Sequence, residues 1–311
     1  MEKLIERYAA HSMPGLRAVG QHILGSHGKH LRPALLLFSA EAALPLGQKA
    51  PRARLGKLAA SVELLHVASL VHDDFIDGAR QRRNLPTVNA KWGGAISVAV
   101  GDYLYASAMR LTLEAGTTEI MHCFARAIQQ IAEGEMLQIL NRGNEKLSRR
   151  LYLDIIRKKT AALFAASCRT GALAVGADAR AAGALESFGR SFGMAFQILD
   201  DLRDLDSEGG DLGKHRFQDV IAGDMTLPLL ELFRRIPRKE SRRLVSRLLS
   251  EKKGETGPSL RETLERTGVS DSIRVRASGY RTRARKALCA VPESPSRHSL
   301  EDLLESACAL Q

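Results

Sequence analysis

The pattern Asp-Asp-x-x-Asp occurs twice in this chain, each time inside an apolar run. The first copy is Leu70-Val71-His72-Asp73-Asp74-Phe75-Ile76-Asp77, and the second is Gln197-Ile198-Leu199-Asp200-Asp201-Leu202-Arg203-Asp204. On a helix, positions i, i+1 and i+4 share one face, so each copy gathers three carboxylates at one spot. An exposed acidic face would not be embedded in residues that belong to a core. Burying three like charges is costly unless a cation joins them. Hard divalent cations with oxygen ligands resolve the conflict, and Mg²⁺ in particular prefers one or two carboxylates, waters and substrate phosphates. Two such clusters facing each other would make a box for a phosphorylated substrate. They can meet only if their helices line one shared cavity, as in a helical bundle with a central site.

The remaining sequence suits a bundle. Aromatics are only 5% of the 311 residues, and the abundant Ala, Leu and Arg favour helix. Apolar residues recur at three- and four-residue spacing in 58–76, 95–112, 120–140, 151–175 and 182–204, which predicts an all-α protein. Turn-rich stretches fall at 25–30, 78–87, 141–148, 206–225 and 252–259. None resembles a linker, so residues 1–311 read as a single domain. No internal run is apolar enough for a transmembrane helix, which needs about 18 such residues. The opening residues, Met1-Glu2-Lys3-Leu4-Ile5-Glu6-Arg7, lack the apolar core of a signal peptide. Cys123, Cys168, Cys289 and Cys308 show no Cys-x-x-Cys spacing and read as small helix residues in a reducing cytoplasm.

The net charge of +11 is unevenly placed: residues 231–290 hold 17 Lys or Arg against 7 Asp or Glu. Solvated faces of late helices account for this most simply, with attraction to an anionic membrane surface as the second reading. The stretch carries no recognisable nucleic-acid motif, and no nucleic-acid partner is expected.

A box of carboxylates and metals needs cations for the outer phosphate oxygens, and these stand at telling places. Gly28-Lys29-His30-Leu31-Arg32-Pro33 opens a helix, with Pro33 suited to its first turn. Arg82-Arg83 follows the first acidic motif within one short loop. Lys158-Lys159-Thr160 lies inside an apolar helix, and Lys214 follows the second motif. Arg recognises phosphate through a planar fork and Lys as a point charge.

With these motifs in order, the chain resembles the trans-type polyprenyl diphosphate synthases, the isoprenyl chain-elongating family. Further matching segments are Arg82-Arg83-x-x-Pro86-Thr87, Gly101-Asp102-Tyr103-Leu104, Lys159-Thr160, Phe192-Gly193-Met194-x-Phe196-Gln197 and Thr226-Leu227-Pro228-Leu229. The match runs from about residue 20 to 232. Within the family, the chain resembles the catalytic subunit of heptaprenyl diphosphate synthases, notably through Leu64-x-His66-x-Ala68-Ser69-Leu70-Val71-His72 and Lys159-Thr160-Ala161 with Ala165-Ala166-Ser167-Cys168.

The resemblance implies one large helical bundle around a central cavity, of the class I isoprenoid synthase type. It implies about three Mg²⁺ held between Asp73, Asp74 and Asp77 on one side and Asp200, with Asp201 and Asp204, on the other. Arg82, Lys159 and Lys214 match positions that contact the allylic diphosphate, with Thr160 beside Lys159. Lys29, Arg32, His66 and Arg83 match those that bind isopentenyl diphosphate. Gln197 is assigned to carbocation stabilisation. The implied reaction ionises the allylic C–O bond as metal and cationic side chains neutralise the leaving diphosphate. The held double bond of isopentenyl diphosphate then attacks, and a proton leaves, to the departing diphosphate. The expected product serves a quinone side chain. The working unit is a homodimer, or a heteromer with a small non-catalytic subunit, with peripheral membrane contact for product release.

Ser69 lies one turn before Asp73, with Ala68 beside it and Leu65 one further turn down. Small residues here leave a close-packed tunnel open where a bulky aromatic would plug it, so a long product of about C30 to C40 is expected. Two departures from the family pattern stand out: His30 where many relatives have Arg, and Asp224 where many have Lys. The second removes a cation that in some relatives helps hold the allylic diphosphate. Two rivals remain, a class I terpene cyclase and a subunit active only in a heteromeric synthase. A cyclase has no need of the second diphosphate site that Lys29, Arg32, His66 and Arg83 would form.

Overall fold

The structure is a computed structural model that describes residues 13–25, 28–44, 47–206, 223–249 and 260–308. It is a helical assembly. In chain order the helices are α1 (Pro14–Leu24), α2 (Leu31–Ala42), α3 (Arg52–Ile76), α4 (Val88–Trp92), α5 (Gly94–Ala115), α6 (Thr118–Leu140) and α7 (Arg149–Ile156). A π-helical turn (Arg157–Ala161) leads into α8 (Ala162–Ala174). Then follow α9 (Ala179–Asp206), α10 (Leu227–Arg235), α11 (Arg238–Leu249), α12 (Leu260–Arg266), α13 (Val269–Leu288) and α14 (Pro295–Ala307). Between α3 and α4 lies a small antiparallel hairpin, β1 (Gln81–Arg82) paired with β2 (Leu85–Pro86).

The five apolar periodicities correspond to α3, α5, α6, the α7–π–α8 stretch and α9. Helix starts follow local chemistry. The hydroxyls of Thr87, Thr117, Ser148 and Ser294 each accept a hydrogen bond from a first-turn amide, capping α4, α6, α7 and α14. Pro33 sits in the first turn of α2, as its sequence position predicts.

Helix α3 packs along α5, α9 along α8 and α13, and α2 along α8. Two apolar clusters result. One joins α8, α9, α10 and α13 around Phe164, Phe188 and Phe192. The other joins α3, α5 and α6 around Leu58, Leu64, Leu111 and Phe124. Both acidic motifs stand at helix C-terminal ends, of α3 and α9. Among the described residues, no helix is long and apolar enough to cross a membrane.

Close backbone approach draws three elements toward one point. A Cβ at Gly193 would stand 2.7 Å from Ala161 Cα, and one at Gly134 would stand 2.6 Å from the Lys159 amide nitrogen. The π turn is therefore gripped by α9 on one side and α6 on the other. Gly134→Ala has to push α6 off this turn. We expect it to cost about 1–3 kcal/mol, read by urea denaturation, and to lower turnover; an unchanged midpoint with full activity would show that the contact is slack.

Candidate active site

Helix α3 stops directly after its acidic motif. Gly78 adopts φ +63°, and the amides of Gly78 and Ala79 donate to the carbonyls of Phe75 and Asp74 at 3.2 and 2.9 Å, a Schellman closure. The chain then forms a two-residue hairpin whose turn, Arg83-Asn84, has φ of +51° and +64°, the left-handed pair that suits right-handed strand twist. The hairpin aims its two arginines differently. Arg82 folds back onto the buried Asp74, its Nε and Nη2 each 2.8 Å from Oδ1. Arg83 reaches the loop before α2, where a Cβ at Gly28 would lie 2.9 Å from its Nη1. Thr87 ties the hairpin down by donating to Ala79 O at 2.7 Å.

Arg83 thereby joins a basic cluster between α2 and α3. Burial pushes Arg32 down to about 10, opposed by the nearby Glu63 carboxylate. Its guanidinium lies 4.3 Å from the Phe164 ring centre, and its Nε has no hydrogen-bond partner among the described residues. Burial, with Arg32, Arg83, Arg82 and His30 around it, holds His66 well below the usual histidine range. His66 is thus a neutral imidazole at pH 7. Glu63, one turn before His66, is buried and lies 2.9 Å from His30 Nδ1. Lys29 stands exposed beside this group. The departure at His30 therefore has a partner, a carboxylate on the next helix.

The π turn gives the adjacent lysines opposite tasks. Lys158 faces outward to Glu133 at 2.9 Å, whereas Lys159 turns inward and pairs with Glu135 of α6. Burial alone would depress the Lys159 ammonium, but Asp73, Glu135 and Asp77 outweigh it and raise its pKa. Asp73 is pushed up to about 7, chiefly by burial and further by Glu135 and Asp77, against the pull of Lys159 and Arg82. Widened π turns recur at functional sites because they re-aim side chains within a helix.

The second motif faces the same cavity. A pocket of about 160 Å³ is lined by Asp77 from the first motif and Asp201 from the second, with Lys159, Thr160, Gln197 and Asp224 between them. Asp201 is buried, and both its oxygens are engaged. Tyr152 Oη donates to Oδ2 at 2.5 Å, and Gln197 Nε2 to Oδ1 at 2.7 Å. Thr160 Oγ1 donates to Gln197 Oε1 at 2.8 Å, so the amide is fixed at both ends. Asp200 is half-exposed, 3.8 Å from Arg203, and Asp204 lies one turn further along α9. Among the described residues, no three or more His, Cys, Asp or Glu side chains stand close enough together to hold a metal ion. Lys214 lies outside the described residues.

Of the residues expected to bear on chain length, Leu65 and Ala68 are fully buried in the α3–α5–α6 core. Ser69 is half-buried and donates to His66 O at 2.8 Å.

Four contributors escape a reading of motifs. Glu63 has the weak signal of sharing a helix face with His66, and Glu135 that of an acidic residue in an apolar helix. Tyr152 and Arg142 have none, because what they touch is 49 and 82 residues away.

The polyprenyl synthetase family model matches residues 13–265. The chain belongs to this family. It is a prenyltransferase, a prenyl or polyprenyl diphosphate synthase. Heptaprenyl diphosphate synthase component 2 of Bacillus subtilis (strain 168) is 32% identical over 300 residues, covering 96% of this chain and 84% of that protein. The octaprenyl diphosphate synthase of Escherichia coli (strain K12) is 31% identical over 287 residues, covering 92% and 87%. The crystal structure of the polyprenyl synthase from Caulobacter crescentus CB15, complexed with calcium and isoprenyl diphosphate, superposes with TM-score 0.88 at 35% identity, covering 98% of this chain and 92% of that one. The expected fold, a class I isoprenoid synthase bundle, is thereby confirmed.

Burial raises Asp201 from 3.8 to about 7, so the folded prenyltransferase binds this proton more tightly than the unfolded chain does. Its contribution to stability is full below about pH 4 and is lost as pH rises through about 7. Asp201→Asn should flatten the pH dependence of the melting temperature across that window. An unchanged slope would show that this carboxyl does not titrate there.

Proposed function

We propose that this enzyme condenses an allylic diphosphate, such as farnesyl diphosphate, with successive molecules of isopentenyl diphosphate to make a long all-trans polyprenyl diphosphate for a quinone side chain. The observation that carries this reading is the basic cluster of Arg32, His66 and Arg83, separate from the acid-rich cavity and beside Lys29. It supplies a second anion site, which a terpene cyclase acting on one diphosphate would not need.

Arg32, Arg83 and Lys29 bind the diphosphate of isopentenyl diphosphate, with neutral His66 offering a hydrogen bond. Lys159 and Arg82 serve the allylic diphosphate, Lys214 being assigned to it by resemblance alone. The oxygen chemistry of Asp73, Asp74, Asp77, Asp200 and Asp204 suits a hard cation such as Mg²⁺, and since no three of them converge on their own, diphosphate oxygens would complete its ligand set. Asp73, raised to about 7 chiefly by burial, would be favoured in its ionised form by such a cation. Bound there, Mg²⁺ would neutralise charge on the departing diphosphate. Asp201 takes part by holding Gln197, whose fixed amide lines the cavity where an allylic cation would form. Closing the cavity against water would matter, because water would trap that cation as an alcohol.

A product of about C30 to C40 is supported by the small side chains of Ala68 and Ser69 on the helix that carries Asp73. Exposed Ile96, Leu113, Met136, Ile139 and Leu140 give α5 and α6 an apolar face suited to a second chain. Whether that chain is a second copy or a small non-catalytic subunit, the similarity to a protein named component 2 keeps the heteromer in view. We read residues 1–311 as one domain, because α13 and α14, beyond the family match, pack on α9 and α2. The free thiols of all four cysteines suit the cytoplasm. Many arginines of the basic late segment are paired, as Arg266 is with Glu240 and Arg274 with Asp271, leaving product release as the step for any membrane contact.

Purified protein incubated with Mg²⁺, labelled isopentenyl diphosphate and farnesyl diphosphate should yield long prenyl chains, sized by chromatography. Silence rescued by a cell extract would point to an obligate partner. Asp74→Ala should lower turnover by about a hundredfold or more, and full activity in that variant would sink the site assignment. Ser69→Phe should shorten the product, and an unshifted distribution would overturn the chain-length reading.

A further inference from the structure

Arg142 follows α6 and binds two carboxylates from distant segments. It pairs with Asp77, the last residue of the first acidic motif, and its Nε lies 3.4 Å from Asp224 Oδ1. The two partners differ in kind. The Asp224 side chain is only 10% exposed, and Gln138, one turn before Arg142, donates to its Oδ2 at 2.5 Å. The backbone locks the same junction, with Gly143 N donating to Gly223 O at 2.7 Å. Losing a counter-ion costs a buried carboxylate more than an exposed one, so Asp224 has the greater need to keep Arg142 even though its contact is the longer of the two. The Asp77 side chain is 30% exposed and edges the cavity beside Lys159 and Asp224. Its bond to Arg142 is therefore the exchangeable one.

We propose that Arg142 is a further binding residue for the allylic diphosphate: it neutralises Asp77 and, still tethered to Asp224, turns to the outer phosphate oxygens when a metal-bound diphosphate claims Asp77. This rests on the proposed reaction and adds a residue to it. A guanidinium suits the exchange, since one edge can keep its carboxylate while the other engages phosphate. Asp224, where a lysine stands in many relatives, thus does not leave this corner without a cation. The positive charge comes from another segment, and Asp224 is what fixes it.

The inference predicts effects of opposite sign on two ligands. In Arg142→Gln, Asp77 loses its competitor, so Mn²⁺ alone, followed by electron paramagnetic resonance, should bind about fivefold more tightly. An unreactive thiolo analogue of farnesyl diphosphate, measured by calorimetry with Mg²⁺, should bind about tenfold more weakly. Isopentenyl diphosphate should bind as before, because the basic cluster of Arg32 and Arg83 is untouched. Should the single variant fail to fold, Arg142→Gln with Asp224→Asn removes the buried charge together with its partner and should give the same pattern. Unchanged or weaker Mn²⁺ binding, or equal weakening of both diphosphates, would make Arg142 a structural staple and overturn the inference alone. Wild-type protein that bound neither diphosphate would overturn the proposed reaction, and this inference with it.

Discussion

The architecture depends on carboxylates, most of them held at low exposure, in and beside one cavity. Each of them is a destabilising group unless it is answered, and each is answered differently. Asp74 has the Arg82 fork, Asp73 has Lys159, Asp201 has a phenol and an amide, and Asp77 shares Arg142 with Asp224. The balance is incomplete by design of the residues themselves: Asp73 remains raised to about 7 although Lys159 and Arg82 both favour its ionised form. A carboxylate that burial keeps from ionising readily would gain from further positive charge. The neighbouring cluster around Arg32 has the reverse imbalance, with Arg32 and Arg83 depressed chiefly by burial, and Arg83 also by Arg82. An acid-rich cavity beside a cation-rich cluster suits the two diphosphates and hard metal of the proposed reaction.

Backbone geometry sets the accuracy of that arrangement. The Schellman closure at Gly78 ends α3 just after Asp77, and the left-handed Arg83-Asn84 turn sends adjacent arginines to separate sites. The π turn does the same for Lys158 and Lys159, one outward and one inward. In each case neighbours in sequence are parted by one local departure from regular structure. Contacts at Gly134 and Gly193 then clamp the π turn between α6 and α9, so that Lys159 and Thr160 meet residues from both motifs.

Much of this was legible in the sequence because its physics is local. Helical periodicity marked five long elements, and the paired acidic motifs in apolar surroundings demanded a shared, cation-binding cavity. The cations of Lys29, Arg32, Arg82, Arg83 and Lys159 were recognisable from their order relative to those motifs. What escaped is what depends on contact between remote segments. Nothing local marks Tyr152 as the donor to Asp201, or separates Asp201, whose oxygens are both engaged, from the half-exposed Asp200 beside it. The loss of a lysine at Asp224 read as a missing charge, although Arg142 supplies one from 82 residues away.

The sequence by itself therefore determined the all-α class and the two acidic clusters, since these follow from residue type and helical spacing, and its family resemblance named the cations proposed to meet phosphate. Only the tertiary structure decided which carboxylate faces which cation. That choice is made by burial, by the widened turn at Lys159 and by close helix contacts, and it separates side chains that are neighbours in the chain while joining others far apart.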